Sequence, residues 1–251
     1  MTHIYILTGA SRGMGLAMAE QLISSHHLLL CISRQINAPL ATLAQARACT
    51  LTQWQADLTE PACVATKLLS WLNALDANTL SSATLINNAG MIPPLVPLRA
   101  AASLDTAQAL RVGLEAPMLL TAAFLQATQA FGVPRKVLNI SSGLGRRPMA
   151  SQAAYCAAKA GMDHFTRCVA LDEALQTNGA KVSSLAPGVI DTDMQTQLRD
   201  AKPRDFPDRA GFENLKQSGQ LMSAQEAAKR VLAWLERPDF GQNPVADVRD
   251  A

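Results

Sequence analysis

Tyr155 and Lys159 stand four residues apart within a helix-periodic stretch that runs from about 152 to 177. That spacing puts both side chains on one helix face, with Cβ atoms about 5–6 Å apart. A free phenol keeps its proton to a pH of about 10. An adjacent ammonium favours the phenolate and brings the group toward the range where it exchanges a proton at neutral pH. A tyrosine so placed protonates a nascent alkoxide. The same spacing also arises by chance on helices, so its chemistry depends on what the chain brings beside it.

A second stretch with chemical content is Thr8-Gly9-Ala10-Ser11-Arg12-Gly13-Met14-Gly15, between the apolar run His3–Leu7 and a helical pattern from Leu16 to Ile23. Strand, glycine turn and helix start in that order make a phosphate cradle, because the first N–H groups of a helix lack intrahelical partners and carry the positive end of its dipole. Gly9 suits the tight turn, Gly13 the approach of backbone to phosphate and Gly15 the packing of helix on sheet. Such a turn also serves plain chain reversal. Beyond the first helix, the strand-like run Leu28–Ile32 ends in Ser33-Arg34. A carboxylate about 20 residues past the loop suits an adenosine ribose, whereas a basic residue there suits a 2′-phosphate. Arg34, with Arg12 approaching from the loop, can grip that phosphate bidentately, which favours NADP over NAD. The other reading of Arg34 is a solvated residue past a strand end.

The rest of the chain supplies elements to position these groups. A strand over 51–57 ends in Asp57-Leu58-Thr59, where Asp57 either meets an adenine or serves a turn. Thr59 is the expected N-cap of a helix that carries Pro61 in its first turn and reaches about Asp76. Residues 40–47 suit a short helix. The strand Ala83–Asn87 runs into Asn87-Asn88-Ala89-Gly90, small and amide residues at the kind of strand end where open α/β sheets bind ligands. A long helix is expected from Ser103 to Phe131, buried or facing a partner subunit. Strands Lys136–Ile140 and Lys181–Ala186 end in Ser141-Ser142-Gly143 and Pro187-Gly188. A helix over 223–236 and a strand near Val245–Val248 close the pattern. Residues 193–222, with many charges and Pro203 and Pro207, suit a mobile substrate lid. The alternation predicts a single doubly wound α/β domain over 1–251, a Rossmann-type, mostly parallel sheet with helices on both faces.

Composition narrows the function classes. Hydrophobic residues make up 49% of the chain and aromatics only 4%, which suits aliphatic helices packed closely on a parallel sheet. The apolar segment Ala116–Ala127 is interrupted by Pro117, Thr121 and Gln126 and is too short to span a bilayer. No basic segment precedes a cleavable apolar stretch, so a cytoplasmic location is expected. The net charge of +2 is dispersed, with Arg146-Arg147 the basic doublet of note, and nucleic acid is not an expected partner. Five cysteines without a C-x-x-C pair read as reduced thiols. Four scattered histidines give no metal site.

Taken together, T-G-x-x-x-G-x-G over Thr8–Gly15, Asn87-Asn88-Ala89-Gly90, Ser142 thirteen residues before Tyr155, Tyr155-x-x-x-Lys159 and Pro187-Gly188-x-x-x-Thr192 resemble the short-chain dehydrogenase/reductase family in order and register. The resemblance implies that Ser142 hydrogen-bonds a substrate carbonyl, Tyr155 is the general acid, and Lys159 binds the nicotinamide ribose while lowering the phenol pKa. It implies that Thr192 holds the carboxamide. The implied NADP(H) cleft collects Gly9, Ser11, Arg12, Gly13, Met14, Gly15, Arg34, Asp57, Leu58, Asn88, Ala89, Gly90, Pro187, Gly188, Val189 and Thr192 together with Tyr155 and Lys159. The hydride chemistry belongs to the nicotinamide.

Within the family, Pro187–Gln195, Leu215-Lys216-x-Ser218-Gly219 and the run from Asp239-Phe240 to Val245-Ala246-Asp247 resemble the sepiapterin reductase and benzil reductase branch. That branch implies NADPH-dependent reduction of a ketone or of one carbonyl of a vicinal dicarbonyl, and makes Asp247 a candidate anchor for a substrate bearing paired N–H donors. One position departs from the family: its usual asparagine in the long helix is replaced in Val112-Gly113-Leu114. Gly113 keeps a backbone carbonyl for a relay water but not the amide. The alternatives are an NADPH-binding redox sensor or partner-binding protein with little turnover, and a reductase of other ketones such as 3-oxoacyl thioesters. The resemblance also implies a homodimer, tetramers being the family's other assembly.

Overall fold

Runs of aliphatic residues with no polar alternation are what a parallel sheet covered on both faces demands, and β1 (Thr2–Thr8) and β2 (His27–Ser33) have that character. In the computed structural model, which describes residues 1–250, they are joined by β3 (Thr50–Gln55), β4 (Leu80–Asn87), β5 (Arg135–Ile140), β6 (Lys181–Ala186) and β7 (Val245–Asp247). The seven strands lie in the order β3-β2-β1-β4-β5-β6-β7. Every adjacent pair is parallel, so the sheet is wholly rather than mostly parallel. The order reverses between β1 and β4, and the crevice that such a reversal opens lies beyond Thr8 and Asn87.

The helices in chain order are α1 (Gly13–Leu22), α2 (Ala38–Ala46), α3 (Pro61–Asn73), α4 (Ser103–Leu110), α5 (Ala116–Thr128), α6 (Ala153–Ala174), α7 (Asp193–Arg199), α8 (Arg209–Gln217) and α9 (Ala224–Leu235). One core joins Leu7 and Leu29 of the sheet to Met18 of α1, Ala44 of α2 and Val231 of α9. On the opposite face Ile6 and Val137 meet Leu68 of α3, Phe124 of α5 and Val169 of α6. Full burial of each such Leu, Ile or Phe contributes about 1.5–3 kcal/mol. Among the described residues no helix is long and apolar enough to cross a membrane.

Local chemistry sets the helix starts. The Asn37 side chain accepts the Leu40 N–H at 2.9 Å with Pro39 in the first turn of α2, and Ser223 caps α9 by accepting the Glu226 N–H at 3.1 Å. Thr59 does not cap α3. Glu60 precedes the helix with no side-chain cap, and Asp57 accepts the Thr59 N–H at 2.9 Å, so the local role of Asp57 is an Asx turn.

The helix expected to run unbroken from Ser103 to Phe131 is interrupted. Between α4 and α5 the chain makes a π-turn over Arg111–Glu115, in which the Ala116 N–H donates to the Arg111 carbonyl. Pro117 explains it: without an N–H it cannot bond the carbonyl four residues back, that of Gly113, and the ladder slips by one residue. The stretch 193–222 also differs from a featureless loop. It contains α7 and α8, and it leaves and rejoins the body at one point, where the Met222 N–H donates to Val189 at 2.9 Å and the Asp191 N–H to Met222 at 2.8 Å.

Candidate active site

The glycine turn is shaped by contacts that a side chain would forbid. A Cβ on Gly15 would stand 2.1 Å from the Gly9 carbonyl oxygen, and Gly9 itself turns with φ +72°. No side chain caps the first turn of α1 and no acid sits in it, so the N–H groups of Gly13, Met14 and Gly15 have no partner within the helix, the donor set that suits a pyrophosphate. The turn is locked to the end of β4. The Thr8 hydroxyl accepts the N–H groups of Asn88 and Ala89, each at 2.9 Å, and Asn88 Nδ2 donates to the Thr8 carbonyl at 2.9 Å. The Asn88 amide is thus committed to the loop wall. These features fit a dinucleotide.

Other expected cofactor residues surround this crevice. Arg34 is exposed past β2, Leu58 is buried after β3, and Pro187, Gly188 and Val189 follow β6. Thr192 abuts the loop: its Cγ2 lies 3.5 Å from where a Gly13 Cβ would be. Arg12 is turned to the same side, its Nη1 2.8 Å from Asp193 Oδ2, rather than toward Arg34 as expected; both partners are largely exposed.

Ser142, Tyr155 and Lys159 come together past the end of β5. Ser142, two residues past the strand, accepts the Leu144 N–H at 3.2 Å and starts a tight turn. Tyr155 lies in the first turn of α6, 8% exposed, in an apolar cluster with Ile92, Leu95, Leu198 and Phe206. Lys159, 4% exposed, donates its Nζ to the Ile140 carbonyl at 2.7 Å, and that nitrogen lies 5.8 Å from the Tyr155 ring centre. Gly90 borders it, a Cβ there falling 3.8 Å from the Lys159 nitrogen.

Electrostatics here run opposite to the expectation from spacing. Burial raises the Tyr155 phenol above its ordinary value, with the neighbouring Ser142 hydroxyl pulling the other way. Burial also lowers Lys159 to about 8, opposed by the charge of Asp163. Desolvation is the first cause of both shifts, and it disfavours the charged form of each group.

Gly113 packs on this helix: a Cβ would stand 3.0 Å from that of Ala158. Asp247, expected to face a substrate, instead ends β7 with its carboxylate gripped by Arg249, whose Nε and Nη2 donate at 2.7 and 2.6 Å.

A family model described as short chain dehydrogenase matches residues 3–203. The chain belongs to the short-chain dehydrogenase/reductase family. Among its relatives in this family is a benzil reductase ((S)-benzoin forming) of Bacillus cereus, 36% identical over 96% of each chain. Another is sepiapterin reductase of Rattus norvegicus, 30% identical over 98% of this chain and 96% of that one. The solved structure of a short-chain dehydrogenase/reductase from Burkholderia vietnamiensis covers all of both chains with 31% identity and a TM-score of 0.66. These relatives make the protein an oxidoreductase of the carbonyl reductase type.

Sequence reasoning missed the wall that closes on Tyr155. Leu198 and Phe206 come from the charged stretch 193–222, and Ile92 and Leu95 from the segment after β4. A usable signal was present: two of the six phenylalanines, Phe206 and Phe212, stand within that polar stretch, and they stack at 5.7 Å.

Proposed function

We propose that this short-chain reductase uses NADPH to reduce one carbonyl of an apolar ketone or vicinal diketone of the benzil kind. The observation that carries this reading is the enclosure of Tyr155 by Ile92, Leu95, Leu198 and Phe206, with Leu144, Met149 and Met194 at its border. Such a wall buries aryl surface and leaves the phenol as the polar group at hand. The commitment of Asp247 to Arg249 argues against a pterin anchored at that carboxylate.

The glycine turn would hold NADPH, which when bound would supply the hydride for the carbonyl carbon. Ser142 orients the carbonyl oxygen, and Tyr155, kept protonated by its burial, gives that oxygen its proton. The raised phenol and the lowered lysine set a direction for the next proton. Lys159 at about 8 is the stronger acid of the two, so transfer from the ammonium toward the phenolate runs downhill. Arg34 and Arg12 are the cations for a 2′-phosphate, Arg12 exchanging Asp193 for it. The excursion 193–222, pinned at its base and tied by Gln197 to the Ile92 carbonyl at 3.1 Å, serves as the substrate lid of a single catalytic domain. The exposed Leu104, Met118 and Leu171 on α4, α5 and α6, with Leu175 just past α6, suit a homodimer.

Oxidation of NADPH and of NADH is followed with benzil, sepiapterin, a 3-oxoacyl thioester and a simple aryl ketone. Selective turnover of benzil with NADPH is expected. Preference for sepiapterin or the thioester overturns the substrate reading, and preference for NADH overturns the cofactor reading.

A further inference from the structure

Lys159 and Asp163 are one turn apart on α6, 4% and 2% exposed, and a charge so buried is retained only where a partner offsets its lost hydration. Asp163 is held from two other elements. Ser184 of β6 donates its hydroxyl to Oδ1 at 2.7 Å, and Arg146 Nε, from the turn after β5, lies 3.3 Å from Oδ2. Arg146 is itself fixed by β7: Nη2 donates to the Ala246 carbonyl at 2.7 Å, and Nη1 lies 3.9 Å from the Asp247 carboxylate. The turn carrying Arg146 reaches α6 because residue 145 is glycine. A Cβ there would stand 3.0 Å from both Asp163 Oδ2 and the Lys159 carbonyl oxygen. The result is a string of alternating charge, Lys159, Asp163, Arg146, Asp247 and Arg249, running from the catalytic face of α6 to the end of the sheet.

We propose that Asp163, clamped by Arg146 and Ser184, is a positioning residue that keeps the buried Lys159 charged and able to give up its proton. This rests on the reading of Lys159 as the proton source above. In a water-poor interior a carboxylate one helical turn away favours the ammonium, whereas Arg146 beyond it opposes with like charge. The groups facing Lys159 are Tyr155 and Asp163. Those facing Asp163 are Lys159 and Arg146, with Asp247 and Arg249 behind.

The test titrates the full-length protein without cofactor, carrying 13C-labelled lysine, by NMR, with the Lys159 signal assigned from its loss in Lys159→Met. The wild-type midpoint is expected near 8. Asp163→Asn, which keeps the side-chain shape, lowers it by at least one pH unit, about a tenfold loss of proton affinity. Asp163→Glu restores it, and Arg146→Gln, which removes the opposing cation, raises it. A midpoint unmoved in Asp163→Asn and Arg146→Gln overturns the proposal, and if the former fails to fold the latter decides alone. The alkaline limb of kcat with NADPH and benzil should follow the midpoint. A midpoint that moves while the limb stays put upholds the electrostatic coupling and overturns instead the role of Lys159 as proton source.

Discussion

Two charged regions flank the crevice and behave differently. At the glycine turn, Arg12, Arg34 and Asp193 stand in water, and the Arg12–Asp193 pair is exposed on both sides. Beneath the other wall, Lys159, Asp163 and Asp247 are buried, with the Arg146 side chain half-buried between the two carboxylates and Arg249 at the exposed end. Screening makes the first pair nearly free to exchange partners, whereas the second set is costly to open because each charge offsets the lost hydration of the next. One side of the crevice carries charges free to change partners, and the other carries charges held in place by burial and by one another.

The strongest way to break this contrast is at the enclosed side. Tyr155→Phe is expected to lower turnover by about a hundred- to ten-thousandfold, the usual contribution of a positioned acid, while fluorescence titration still finds NADPH bound. Retained turnover would remove Tyr155 as the acid.

Lys159→Met separates stability from activity. Burial pushes Lys159 down from its ordinary 10.5 to about 8, so below pH 8 the native state bears a buried charge that costs up to about 3 kcal/mol. Between 8 and 10.5 the unfolded chain holds a proton that the native state has released, and stability rises with pH. The methionine variant should therefore be more stable than the wild type at pH 7 in denaturant titrations, with the gain fading toward pH 10.5, and should lose turnover.

Effects on the exposed side are smaller. Arg34→Asp should shift the NADPH-to-NADH preference by about ten- to a hundredfold, as the loss of one charge-assisted contact predicts; an unchanged ratio of kcat/KM values would refute its phosphate role. Asp193→Asn should change unfolding free energy by less than about 1 kcal/mol. It should also tighten NADPH binding modestly by freeing Arg12, measured by calorimetry.

The sheet and its order of use were legible because fully buried strands announce themselves as aliphatic runs, and Tyr155, Lys159 and the glycine turn because their spacing is local. What escaped was non-local. Asp163 reads in sequence as one more charge on a helix face, since its partners Arg146 and Ser184 arrive from other elements. Leu198 and Phe206 escaped because the charges around them dominate the local average, although both are buried against Tyr155. Pro117 was visible only as a break in an apolar run; its effect on the Gly113 carbonyl follows from the backbone ladder that it interrupts.

The grip of Arg249 on Asp247, and of Arg146 on both Asp247 and the Ala246 carbonyl, also has a meaning in time. A chain emerging from the ribosome completes α6, with its tyrosine and lysine, some seventy residues before β7 appears. Until β7 pairs with β6, Arg146 lacks the Ala246 carbonyl and the Asp247 carboxylate, two of the groups that fix it beside Asp163. On the reading proposed above, the string of charge behind Lys159 is complete only when the final strand docks.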